Sequence, residues 1–189
     1  MTFGRPVVLD ACVLVGAGLR DTLLRLAEVP ALYAPRWSDD ILGEVERTLQ
    51  RRFGKTIEQT RHLTHQLRES FPEAWVREYS DLIPNLINHE KDRHVLAAAV
   101  RCGAQGIVTF NTRHFPAEAV CRFDIQVIHP DKFLVEQLRQ DETLVVARFS
   151  EQARNIGRTV EDQTRTFHRT GALPRFTLAL AKTLGIQLG

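Results

Sequence analysis

A chain of 189 residues has room for one domain with a substantial core and little more. Its 43% hydrophobic and 25% charged residues are ordinary for a globular protein, and no stretch reaches the ~20 apolar residues of a membrane span. The net charge of +2 demands no nucleic-acid partner by itself, and the N-terminal residues lack the basic and apolar regions of a secretory signal.

The first element is an apolar run without alternation, Pro6 to Leu9, which predicts a strand covered on both faces. It stops at Asp10. "GLRDTLLRLAEV" follows with Leu19, Leu23, Leu24 and Leu26 at helical spacing, and "ALYAP" predicts a short second strand closed by Pro35. "SDDILGEVERTLQRRFG" carries the marks of a helix: Ser38 as N-cap, Asp39 and Asp40 in the first turn, Gly54 as the stop. Residues 56–79 predict one or two helices, the second starting near Pro72, and "DLIPNLINHE" a loop with a short apolar element. "KDRHVLAAAVRCG" predicts a helix ended by Gly103, "GIVTF" (106–110) and "DIQVIHP" (124–130) two more strands. After Asp131 the pattern is helical, with a break at "TGALPRF". Strands alternating with helices predict a three-layer α/β/α fold around a parallel sheet, residues 1–130, with a helical extension, residues 131–189, on the same core.

The chemistry gathers at the predicted strand ends, where parallel α/β sheets bind ligands. Asp10 ends the first strand, Glu44 lies at the margin of the stripe formed by Ile41, Leu42, Val45 and Leu49, and Asp92 opens the alanine-rich helix on the face of Leu96 and Ala99. Thr109, Asn111 and His114 follow "GIVTF". Converging carboxylates repel one another unless a cation compensates, and oxygen-rich clusters hold Mg²⁺ or Mn²⁺. Two such ions about 4 Å apart serve phosphodiester hydrolysis. Taken singly, Asp92 reads equally as a helix cap and Glu44 as a solvated helix acid, whereas Asp10, directly after buried aliphatics, needs a partner. Arginine supplies 21 of the 25 basic residues, and Arg36, Arg93 and Arg113 beside the acids are candidate phosphate contacts; a GC-rich genome produces the same bias. His62 and His65 read as surface residues, His94 as turned away from Asp92, and His129 as structural. Cys12, Cys102 and Cys121 have neither zinc nor redox spacing and predict reduced thiols in a cytoplasmic protein. No Gly-rich phosphate loop and no serine nucleophile elbow is present.

"VVLDACVLV", "WSDDILGEVERTL", "KDRHVLAAAV" and "IVTFNTRHFP" resemble, in order, the signature segments of PIN-domain proteins, in particular the bacterial VapC-like ribonuclease toxins. "GALPRF" resembles the helical extension of that group. The resemblance implies a Mg²⁺ or Mn²⁺ site and endoribonuclease activity, with RNA as substrate, a small antitoxin as partner, and homodimers. It assigns Asp10, Glu44 and Asp92 to the acidic triad and Asn111, preceded by Thr109, to the polar pair of the last motif. The chain departs from the family pattern at Cys12, where a small polar residue is usual, at His114, where an acid is usual, and at His89 and Lys91 in a loop that often holds acids. These departures predict weaker metal affinity, with His114 as a phosphate contact or a ligand for a softer ion such as Mn²⁺. They also leave open a noncatalytic RNA-binding or regulatory protein on the same fold; a DNA nuclease ranks below both, because no long basic segment is present to grip a duplex end.

Overall fold

The apolar run at residues 6–9 forms the strand the sequence predicts, and the rest of the sheet assembles around it. In the computed structural model, which describes residues 4–188, β1 (Pro6–Leu9) lies between β2 (Ala34–Arg36) and β3 (Gly106–Val108), and β4 (Gln126–Ile128) completes a parallel sheet in the order β2-β1-β3-β4. Register pairs Val8 with Arg36 on one side and with Ile107 on the other. Val8, Leu9, Ile107 and Val108 are completely buried, as expected for strands covered on both faces. From β1 the chain first runs outward to β2 and then returns to the opposite side for β3. The topological switch point, where open α/β sheets bind ligands, therefore lies between the C-terminal ends of β1 and β3.

Helices α1 (Ala11–Leu14) and α2 (Ala17–Ala27) follow β1; α3 (Asp39–Phe53) and α4 (Ile57–Ser70) follow β2. Ser38 caps α3 by accepting the Ile41 N–H, and Gly54 ends it at φ 62°, a left-handed conformation costly for other residues. Helix α5 (Arg93–Arg101) packs on β1 and β3, and Val95 through Ala99 are all fully buried. Three consecutive alanines let that helix approach the sheet closely. After α6 (Ala117–Val120) and β4, the helices α7 (Pro130–Gln140), α8 (Glu142–Asn155), α9 (Val160–Thr170) and α10 (Pro174–Leu184) cover the remaining core, completing an α/β/α arrangement with added C-terminal helices.

Four local expectations are corrected. No helix starts near Pro72: Pro72–Ala74 is a single 3₁₀ turn, because the chain is drawn alongside β2, with the Trp37 N–H on the Ala74 carbonyl and the Val76 N–H on that of Trp37. The second strand is not closed by Pro35 but contains it; β2 is a sheet edge, where a missing N–H is tolerated. The third strand stops at Val108, two residues short of the predicted end, and Thr109 and Phe110 turn into the site described below. The fourth starts at Gln126, since Asp124 adopts φ 55° at the end of a 3₁₀ turn.

The C-terminal helices pack on one another and, through α8, on α2. Phe149 on α8 is 1% exposed and meets Phe167 and Phe176 edge-on at centroid distances of 5.3 and 6.0 Å. Buried Gln152 accepts a 2.7 Å hydrogen bond from the Thr22 hydroxyl and donates one of 2.8 Å to the Gly18 carbonyl. A Cβ at Gly18 would lie 3.1 Å from the Phe167 ring, so a glycine there lets α9 close onto α2. Buried Asp131 accepts from the Phe176 and Arg175 amides and so fixes the start of α10. Phe149→Ala is expected to lower stability by about 3–5 kcal/mol and to leave one cooperative transition in urea. A separate first transition would show the C-terminal helices to be an independent unit.

Candidate active site and metal centre

Asp10 stands at the switch point and is 2% exposed. It occupies the N-cap position of α1 yet makes no capping bond with its side chain. Its Oδ2 instead accepts from the Thr109 hydroxyl at 2.5 Å and from the Cys12 thiol at 3.1 Å, while its amide donates to the Val108 carbonyl. Cys12 Sγ also accepts the Phe110 N–H at 3.2 Å, and Thr109 Oγ1 accepts that of Asn111 at 2.9 Å. Burial first, and then the Asp10 charge, push the Cys12 thiol up to about 12, so it remains protonated and acts as a donor. Asp10 Oδ1 takes no protein donor among the described residues. Asn111 is exposed beside this network.

The other two acids come from opposite directions. Glu44 is half-buried on α3; burial, then the charge of Asp10 and further that of Asp92, raise its carboxyl above the usual range, with His94 and Arg47 opposing. His94 Nε2 lies 3.8 Å from Glu44 Oε2. Asp92 is 5% exposed at the start of α5 and makes no cap bond; its carboxylate is hydrogen-bonded with Nδ1 of His114, on the turn after β3. The cap reading of Asp92 therefore gives way to a tertiary contact. The charges of Asp10 and Asp92 both reach Glu44, while Thr109 and Cys12 bond to Asp10 and His114 to Asp92.

The arginines separate. Arg36 donates to the Pro35 carbonyl, and its charge acts on the Cys102 thiol at the far end of α5, away from the acids. Arg93 donates to the Asn88 carbonyl, and Arg113 is exposed on the turn Thr112–His114 without an ion pair among the described residues. His129 accepts the Asp131 N–H as the cap of α7, and His62 and His65 are exposed. Sequence reasoning missed two residues. His94 faces Glu44, which only the packing of α3 against α5 brings about. His89 stacks on His114 at a centroid distance of 4.3 Å, a contact made through tertiary structure alone. An apolar cavity of about 460 Å³, walled by Cys12, Leu19 and Phe110 on one side and Phe167 and Leu173 on the other, brings the C-terminal helices next to the network.

The donor chemistry fits a hard divalent cation. Carboxylate oxygens are the preferred ligands of such ions, and the mutual repulsion recorded at Glu44 is the charge a cation would offset. Acids at the switch point of a parallel sheet mark the molecule as an α/β protein with an acidic candidate site at its strand ends. The PIN domain family model matches residues 6–113, more than half of the chain, and the chain belongs to that family. It is 57% identical over 60 residues to a Mycobacterium tuberculosis protein named "Putative ribonuclease VapC50"; the match covers 32% of this chain and 36% of that protein. The chain thus spans about a third of the length of this relative.

With divalent ions chelated, Glu44→Gln is expected to melt at or above the temperature of the unaltered chain at neutral pH. A carboxyl with a folded pKa above its unfolded one costs stability as pH rises through that window, and the full cost persists above it. The advantage of the variant should vanish on acidification below the unfolded value of about 4.3, which thermal scans across pH would check. A lower melting temperature at neutral pH would show that Glu44 gains more from His94 than it loses to burial and to the other acids.

Proposed function

We propose that the chain is a divalent-metal-dependent endoribonuclease and the toxin of a toxin–antitoxin pair. The observation that supports the reading is Asp10 buried at the switch point, with its charge and that of Asp92 both acting on Glu44. These three residues would hold Mg²⁺ or Mn²⁺. A bound ion would supply positive charge for the phosphate oxygens and lower the pKa of water. Thr109 and Cys12 orient Asp10 by taking up Oδ2, so that Oδ1 stays available. Asn111, exposed next to them, is placed to hydrogen-bond RNA, and Arg113 and Arg93 to contact its phosphates.

In this reading residues 1–130 carry the chemistry and 131–189 are the extension that walls the neighbouring cavity. The protein works in the cytoplasm on RNA, is held in check by a small antitoxin, and forms a homodimer. No described helix is long and apolar enough to cross a membrane. One observation favours a noncatalytic RNA-binding protein instead: His114 engages the carboxylate of Asp92.

Labelled structured RNA incubated with the full chain separates the two. Cleavage is expected with Mn²⁺ or Mg²⁺, none with chelator, and a fall on the order of a hundredfold or more in Glu44→Gln and Asp92→Asn. RNA binding without cleavage in either ion would establish the noncatalytic reading. Arg113→Ala should lower the slope of log affinity against log salt by roughly one; an unchanged slope removes Arg113 from the phosphate contacts.

A further inference from the structure

A cluster of metal-ligating groups on the loop before α5 and the turn after β3 differs in kind from the acids. Among the described residues, His89, Asp92 and His114 offer ligand atoms that all lie within 4.8 Å of one another, and neither Asp10 nor Glu44 belongs to that group. Three backbone hydrogen bonds of 2.9 Å fix it: the His89 amide to the His114 carbonyl, the Asp92 amide to the His89 carbonyl, and the His114 amide to the Asn111 carbonyl. The first ties the loop before α5 to the turn after β3, so His114 is brought to His89 and Asp92 by the fold and not by sequence spacing.

We propose that His89, Asp92 and His114 form a binding site for a borderline transition-metal ion of the Zn²⁺ or Co²⁺ type, distinct in ligand chemistry from the all-carboxylate set. Two imidazoles and one carboxylate are a donor set that zinc-type ions take and that Mg²⁺, which prefers oxygen and keeps its water, does not. Asp92 and His114 already touch through Oδ2 and Nδ1, and a cation placed there takes over from the hydrogen-bond proton. His89 has the freedom to join them. It is exposed, and its ring is held by stacking on His114 and by one long bond, 3.3 Å, from the Lys91 N–H to Nδ1. Because the rings now lie face to face, at 17°, His89 turns about its side-chain torsions to bring a lone pair toward the shared ion. Three protein ligands leave a coordination position open, as in zinc sites that bind water or substrate and unlike closed structural sites. Asp92 is common to both sets, so an ion here competes with one held by Asp10 and Glu44.

The site does not rest on the nuclease reading, and its test needs no RNA. The full chain, freed of any histidine tag, is titrated with Co²⁺ and followed by its visible absorption and by calorimetry, then back-titrated with Zn²⁺. The expected result is a saturable visible band that Zn²⁺ displaces. Binding should weaken on the order of tenfold to a hundredfold in His89→Gln and in His114→Gln, while the band persists in Glu44→Gln. The exposed His89 makes its variant safe for folding, and circular dichroism of each variant confirms this. No saturable band from the folded chain overturns the proposal. So does a band that survives both histidine variants, or one lost in Glu44→Gln and kept in His89→Gln, which would place the ion on the acids. A chain that binds Co²⁺ as expected yet cleaves no RNA defeats the nuclease reading alone.

Discussion

Everything in the site depends on a buried carboxylate at the end of β1. An ionised group so enclosed is costly unless its lone pairs are taken up. The Thr109 hydroxyl and the Cys12 thiol do this, one from the end of β3 and the other from α1. Because β1 and β3 are the two strands that flank the switch point, the Asp10–Thr109 bond closes the sheet at the place where the chain divides. The same bonds set the direction of the Thr109–Phe110–Asn111 turn, through the Phe110 amide on Cys12 and the Asn111 amide on Thr109. Position and chemistry therefore have one origin: satisfying Asp10 builds the turn that carries Asn111 and His114.

Cys12 fills two hydrogen-bonding roles at once. A thiol is a weak donor, and a small polar residue is the usual choice. Here burial and the neighbouring carboxylate keep the sulfur protonated, so that it can donate to Asp10 and accept from Phe110 at once.

What could be read from the sequence was whatever depends on short-range pattern. The continuous apolar runs gave β1 and the start of β3, Ser38 and Gly54 marked both ends of α3, and the acid after Leu9 was visible as an anomaly that needed a partner. The contacts that define the site are long-range and were not legible. Nothing local says that His94 turns to Glu44, for that needs α3 against α5; nothing local stacks His89 on His114. Arg36 looked close to the acids by its place after the second strand, but a long side chain can be directed back along the sheet, and its charge falls near Cys102. The missing helix at Pro72 has a similar cause, since the tertiary bridge of Trp37 with Trp75 overrides a sequence otherwise open to helix.

Two histidines lie against the acids. Three carboxylates gathered at one sheet edge would be poorly tolerated alone, and Glu44 records that repulsion. His94 lies against Glu44 and His114 against Asp92, so two of the three acids have a nitrogen partner that can carry charge, while Asp10 is satisfied by neutral donors. An acid at position 114 would have added a fourth negative charge and made the fold depend more heavily on a bound ion. Histidine there adds no negative charge and exchanges an oxygen donor for nitrogen. One fewer negative charge and a nitrogen atom beside Asp92 thus follow from the same residue.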